Sequence, residues 1–198
     1  MIRVLSFVFL ILSINANAAS LLVLGDSLSA GYQMPIEKAW PTLLPDELSA
    51  RGHQMRIING SISGDTTGNG LTRLPALLDK HRPDYVLIEL GANDGLRGFP
   101  PKLIKDNLTK LIDLSEESGA KVIVMQIQVP PNYGKRYTQS FEQVYPSVTK
   151  DKDVDLIPFF LAEIITDPDL MMQDGLHPKA NAQPWIAEFV ALQLSPLL

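Results

Sequence analysis

Apolar and polar positions fall in blocks along this chain, and the period of the blocks changes from one to the next. Residues 21–25 are a short apolar run closed by turn formers, the pattern of a buried strand. Residues 39–51 take helical spacing, with Pro41 in the first turn and Gly52 just past the end. Residues 55–60 predict a second strand. Over residues 69–81, Leu71, Leu74, Leu77 and Leu78 share one helical stripe. Residues 85–91 predict a third strand, apolar on both faces except at Glu89. An amphipathic helix follows over 101–117, with Gly119 as its stop. Residues 121–129 predict a fourth strand and 135–150 a weaker helix interrupted by Pro146. A short fifth strand over 154–159 and a closing helix over 179–194 complete the pattern.

Strands that are apolar on both faces belong to a sheet covered on both sides. Five such strands alternating with helices predict an α/β fold, a three-layer α/β/α sandwich. Right-handed crossovers give a five-stranded parallel sheet in the order 2-1-3-4-5, as in flavodoxin-like folds. Nothing in the chain reads as a repeat, a low-complexity segment or an interdomain linker, so residues 19–198 form one domain.

The first eighteen residues stand apart. Arg3 supplies a positive charge, residues 4–12 are apolar, and Ala16-Asn17-Ala18 fits a small-x-small cleavage site. The apolar stretch is short for a membrane span of about 20 residues. The expectation is a cleaved signal peptide over 1–18, a periplasmic or secreted protein, and no membrane anchor after cleavage. The chain has no cysteine, which excludes disulfides, thiol catalysis and a lipidated cysteine anchor. A net charge of −5 leaves no basic footprint for nucleic acid. The expected partner is a small neutral substrate, and a monomer is expected.

In a parallel sheet the loops at the carboxyl ends of the strands carry function. Here they collect one set of residues. Gly25-Asp26-Ser27-Leu28-Ser29 follows the first strand, and a glycine-rich loop holding Gly64 follows the second. Gly91-Ala92-Asn93-Asp94 follows the third, and Asp174-Gly175-Leu176-His177-Pro178 precedes the last helix. A serine hydroxyl needs a base within hydrogen-bond reach, and that base needs an orienting acceptor. His177 can be the base, and Asp174, three residues earlier, the acceptor. An attacked carbonyl develops an oxyanion, which the Ser27 N–H, the Gly64 N–H and the Asn93 amide can receive. Taken singly, each residue has a plainer role: Ser27 as a turn or cap residue, Asn93 as a turn cap, Gly64 as a left-handed turn position. Asp26 and Asp94 read as holders of backbone turns.

These four blocks, in this order, resemble those of the SGNH hydrolases, also called GDSL esterases and lipases. The resemblance spans the mature chain. It is closest to the bacterial periplasmic group that combines thioesterase, lysophospholipase and arylesterase activities, through "GDSLSAGY", "ELGANDGLRGF" and "PNYGKRY". It implies an SGNH hydrolase fold, Ser27 as nucleophile, His177 as base, Asp174 as its partner, and Ser27, Gly64 and Asn93 as the oxyanion hole. It implies no metal and no cofactor, and an ester or thioester of an acyl chain as substrate. Ser29 stands where a Gly-x-Ser-x-Gly elbow would need its second glycine, so the chain is not an α/β-hydrolase of that type.

The acyl pocket is expected beside the loop after the fourth strand, walled by Val129, Pro130, Pro131 and Tyr133, with Leu96 and Phe99 adding to it. Medium or long acyl chains are expected. Two other readings remain open from sequence: an acetylesterase acting on carbohydrates, and a non-catalytic acyl-binding module.

Overall fold

The computed structural model describes residues 18–198. The expected leader, apart from Ala18, lies outside the described residues. Five strands form one sheet: β1 (Ala19–Gly25), β2 (Met55–Asn59), β3 (Tyr85–Glu89), β4 (Lys121–Met125) and β5 (Asp155–Ile157). All neighbours are parallel and the order is 2-1-3-4-5, as the alternation of patterns requires. The helices are α1 (Trp40–Ala50), α2 (Thr67–His81), α3 (Ala92–Leu96), α4 (Pro101–Glu117), α5 (Lys135–Glu142), α6 (Val144–Lys152) and α7 (Gln183–Leu194). α1 packs on α7, while α2, α4 and α6 pack in succession. This gives a helical layer on each face of the sheet. Leu21, Leu22, Val23 and Leu24 are therefore wholly buried whichever face they point to.

Element ends depart from the sequence expectation where tertiary partners decide them. β4 stops at Met125, not at residue 129, because its last rung is the bond from Gln126 N–H to the Ile157 carbonyl at 2.8 Å. α2 begins two residues early, at Thr67. Thr66 caps it, accepting from Asn69 N–H at 3.2 Å while Asn69 Oδ1 accepts from Thr66 N–H at 3.1 Å. The helix expected over 135–150 is two helices broken at Gln143. Pro146 has no N–H to give the Glu142 carbonyl, which instead accepts from Gln126 Nε2 at 3.3 Å. The proline then sits in the first turn of α6, where an N–H has no helical partner anyway. α3, only five residues long, replaces what the sequence reads as loop.

Candidate active site

Ser27 follows β1 by two residues. Asp26 Oδ1 accepts the Leu28 N–H at 3.0 Å, and the Asp26 carbonyl accepts the Ala30 N–H at 2.9 Å. This tight turn buries Asp26 and Leu28 and leaves Ser27 partly exposed between them. A strut holds the turn from behind. Trp40 Nε1 donates to the Leu28 carbonyl at 3.1 Å, and Trp40 N–H donates to Gln183 Oε1 at 3.0 Å. The serine loop is thereby tied to the start of α7.

His177 sits on a short antiparallel bridge between Met171 and Pro178, closed by Met172 N–H on the His177 carbonyl at 2.8 Å. Inside that bend, Asp174 Oδ1 accepts the Leu176 and His177 N–H groups at 2.9 and 3.0 Å. Its Oδ2 lies 2.7 Å from His177 Nδ1, and His177 Nε2 lies 2.9 Å from Ser27 Oγ. A carboxylate can only accept, so Nδ1 carries the proton and Nε2 offers its lone pair to the serine hydroxyl. Burial draws the Asp174 carboxyl upward. The Leu176 N–H, the His177 ring and the His177 N–H outweigh it and hold the carboxyl below its ordinary value. Tyr32 stacks on the imidazole, ring centres 4.2 Å apart.

Gly64 adopts φ +85°, a conformation that disfavours any side chain. The Ser27 and Gly64 N–H groups donate to no backbone carbonyl among the described residues. Asn93 does not take the plainer role of a turn cap. Its Nδ2 donates to Asp26 Oδ2 at 3.0 Å and to the Asp65 carbonyl at 2.9 Å. Asp94 holds the first turn of α2, accepting Thr67 N–H at 2.8 Å and Thr67 Oγ1 at 2.6 Å. Arg73, which the sequence gave no reason to single out, clamps the region. It pairs with Asp65 at 2.6 Å and donates to the Gly60 and Gly25 carbonyls. Arg97 donates to the Gly64 carbonyl at 3.1 Å.

A cleft of about 70 Å³, partly open to solvent, runs from Ser27, Asn93 and His177. Of the six expected wall residues it takes Leu96 and Pro130. The other four lie outside its lining. Val129 is buried against Gly95 and Phe141. Pro131 enters a single-turn helix (Pro131–Tyr133). Tyr133 is anchored away by its hydroxyl on the Leu96 carbonyl at 2.7 Å and faces a second, open cleft with Tyr137. Phe99 offers only its carbonyl, to the Tyr137 hydroxyl at 2.8 Å. The far wall comes instead from Phe159, Leu161 and Ile165, just past β5, and from Leu176 beside the histidine. The apolar run "FFLAEII" after a strand end is the signal that could have found it.

Residues 23–183 match the model of the GDSL-like Lipase/Acylhydrolase family. The chain belongs to that family. It is a hydrolase of acyl esters, and the reading as a non-catalytic binding module falls. An arylesterase of Vibrio mimicus is 66% identical over 98% of both chains. The thioesterase 1/protease 1/lysophospholipase L1 of Escherichia coli K12 is 48% identical over 98% of this chain and 93% of its own. Among solved structures, the psychrotrophic esterase EstA from Pseudoalteromonas sp., inhibited by monoethylphosphonate, superposes with a TM-score of 0.87. It is 43% identical over 90% of this chain and 97% of its own.

Proposed function

We propose that Ser27 is the nucleophile in acyl transfer to water. His177 Nε2 takes the hydroxyl proton as Ser27 Oγ bonds to the carbonyl carbon. Asp174 stabilises the imidazolium that forms, and the Ser27 and Gly64 N–H groups and the Asn93 amide receive the oxyanion. The tetrahedral intermediate collapses and re-forms the carbonyl, the bond to the leaving oxygen or sulfur breaks, and that atom takes the proton from His177. Water then loses a proton to His177 and attacks the acyl-serine, releasing the acid and restoring the hydroxyl. The observation that carries this reading is the 2.9 Å approach of Ser27 Oγ to a ring whose other nitrogen meets a carboxylate.

The apolar lining of the cleft favours acyl chains of medium or long length. Aryl esters, lysophospholipids and thioesters are the candidate classes. If the leader is removed, the protein works outside the cytoplasm, where acyl-coenzyme A is scarce and lysophospholipids and other esters are the better substrates. A monomer is the proposed state, since Ser27, His177 and Asp174 meet without a second copy. The test is a panel of p-nitrophenyl esters of increasing chain length run on the mature protein. Activity should rise beyond acetate and vanish in Ser27→Ala. Full turnover by Ser27→Ala removes the nucleophile, and a strict acetate preference removes the long-chain reading in favour of an acetylesterase.

A further inference from the structure

Two carboxyl groups lie beneath the serine turn, and the mechanism above uses neither. Asp26 and Glu89 are both fully buried. They meet through the sheet, since Gly25 pairs with Glu89 across β1 and β3. A side chain at Gly25 would collide with Glu89 Oε2, so the close approach requires glycine there. Glu89 Oε2 accepts the Ser29 hydroxyl at 2.7 Å. Its Oε1 is buried without a partner among the described residues, as is the Ser61 hydroxyl. Asp26 divides its two oxygens: Oδ1 holds the Leu28 N–H and Oδ2 holds Asn93 Nδ2.

We propose that Asp26 is a positioning residue for the oxyanion hole, keeping the Asn93 side chain with its nitrogen rather than its oxygen toward the cleft. The inference rests on the reading of Asn93 as an oxyanion donor. An amide side chain is nearly symmetric in shape, so its orientation is set by what it faces. Asn93 Nδ2 has two hydrogens, and both meet acceptors, Asp26 Oδ2 and the Asp65 carbonyl; the oxyanion draws the one on the Asp65 carbonyl, while the bond to Asp26 keeps the amide from turning over. Turned over, the amide would set an oxygen against two oxygens. It would also place a negative dipole where the substrate oxygen gains charge.

The charge on Asp26 sets how firmly it holds the amide. Burial raises its carboxyl to about 7, against the Leu28 and Asn93 hydrogen bonds, which lower it. Burial and the neighbouring Asp26 raise Glu89 as well. The other charged groups around Asp26 are Asp65 and Asp94, which disfavour its ionisation, and Arg73, whose guanidinium reaches the Gly25 carbonyl.

Asp26→Asn is the decisive variant. Its amide retains one acceptor oxygen, so an N–H must face either Leu28 or Asn93. We expect kcat on a p-nitrophenyl ester to fall by on the order of 10–10²-fold with KM little changed. Asn93→Ala should lose about 10²–10³-fold. The double variant should be no slower than Asn93→Ala alone, because without the Asn93 amide the substituted side chain is free to keep its oxygen on the Leu28 N–H. If the Asp26→Asn loss recurs in full on the Asn93→Ala background, the positioning role is wrong. If Asn93→Ala keeps full kcat, the Asn93 assignment falls and takes this proposal with it, while Ser27→Ala still tests the nucleophile separately.

Should Asp26→Asn not fold, NMR of the natural chain decides. The Asn93 side-chain NH₂ signals, identified by their loss in Asn93→Ala, should shift with pH. The shift should persist in His177→Gln, where the ring no longer titrates. Signals that stay flat, or that move only when His177 is present, overturn the proposal.

Discussion

Asp174 and Asp26 flank the same serine, and they titrate in opposite directions. Asp174 keeps 39% of its side chain exposed and accepts three hydrogen bonds. Its carboxyl is held below the ordinary value, ready to face an imidazolium. Asp26 is wholly buried, accepts two hydrogen bonds through its side chain, and is pushed up to about 7. The same functional group is thus a stable anion at one end of the site and, at the other, an acceptor that burial leaves only about half charged near neutral pH. The difference suits the charges that form. In the proposed mechanism a cation develops on His177 beside Asp174, and an anion near Asn93, where a second full negative charge would oppose it.

Replacing the exposed acid tests the comparison hardest. Asp174→Asn keeps its Oδ1 on the two backbone N–H groups and turns an NH₂ toward His177 Nδ1. The ring proton must then move to Nε2, where it blocks the lone pair that Ser27 needs. We expect kcat to fall on the order of 10³-fold or more in steady-state assays, with the fold retained. Retention of most activity would mean that the carboxylate is not needed to set the tautomer.

The cleft wall should give the next largest effect. Ile165→Glu places a charge beside the apolar lining, and we expect kcat/KM for long esters to fall about tenfold while acetate is spared. Equal losses across the chain-length series would place the acyl group elsewhere.

Tyr32 sharpens the cationic side of the comparison. Its face lies on the ring that becomes positive, so Tyr32→Leu should lower kcat by about threefold to thirtyfold and Tyr32→Phe very little. Loss of activity in the phenylalanine variant would point to the hydroxyl instead.

The smallest effect is on stability, and here the two acids part by sign. Asp26 binds its proton more tightly folded than unfolded. Its contribution is therefore complete below about pH 4 and is lost as pH rises through about 7. Asp174 is the reverse: its contribution is present at neutral pH and is lost as pH falls below the ordinary carboxyl range. A melting-temperature profile of Asp174→Asn should lose part of the acid limb. Glu89→Gln should flatten the decline of a few degrees above neutrality. An unchanged alkaline limb in Glu89→Gln would separate that residue from the pair.

Much of this was legible in the chain because periodicity and strand ends are local properties. The parallel order follows from apolar strands alternating with helices, and the serine, asparagine and histidine stand where strand ends deliver their loops. What escaped notice depends on partners distant in sequence. Val129 and Pro130 are adjacent, yet one packs inward on Gly95 and the other lines the cleft, a choice set by α3 and α5 rather than by either residue. Arg73 looks like any polar position on a helix until its contacts with Gly25, Gly60 and Asp65 are traced. Asp26 fits a turn former, which it is through Oδ1; only the fold reveals what Oδ2 holds.

The Trp40 strut couples the two ends of the chain. The hydroxyl and the imidazole lie 150 residues apart, and Trp40 reaches the serine turn through its indole and the start of the last helix through its backbone N–H. A chain clipped before Gln183 keeps its serine and its histidine but loses the far anchor of that strut. Hydrolytic competence therefore requires the last helix to be seated, and the regain of ester cleavage during renaturation reports the docking of the carboxyl terminus.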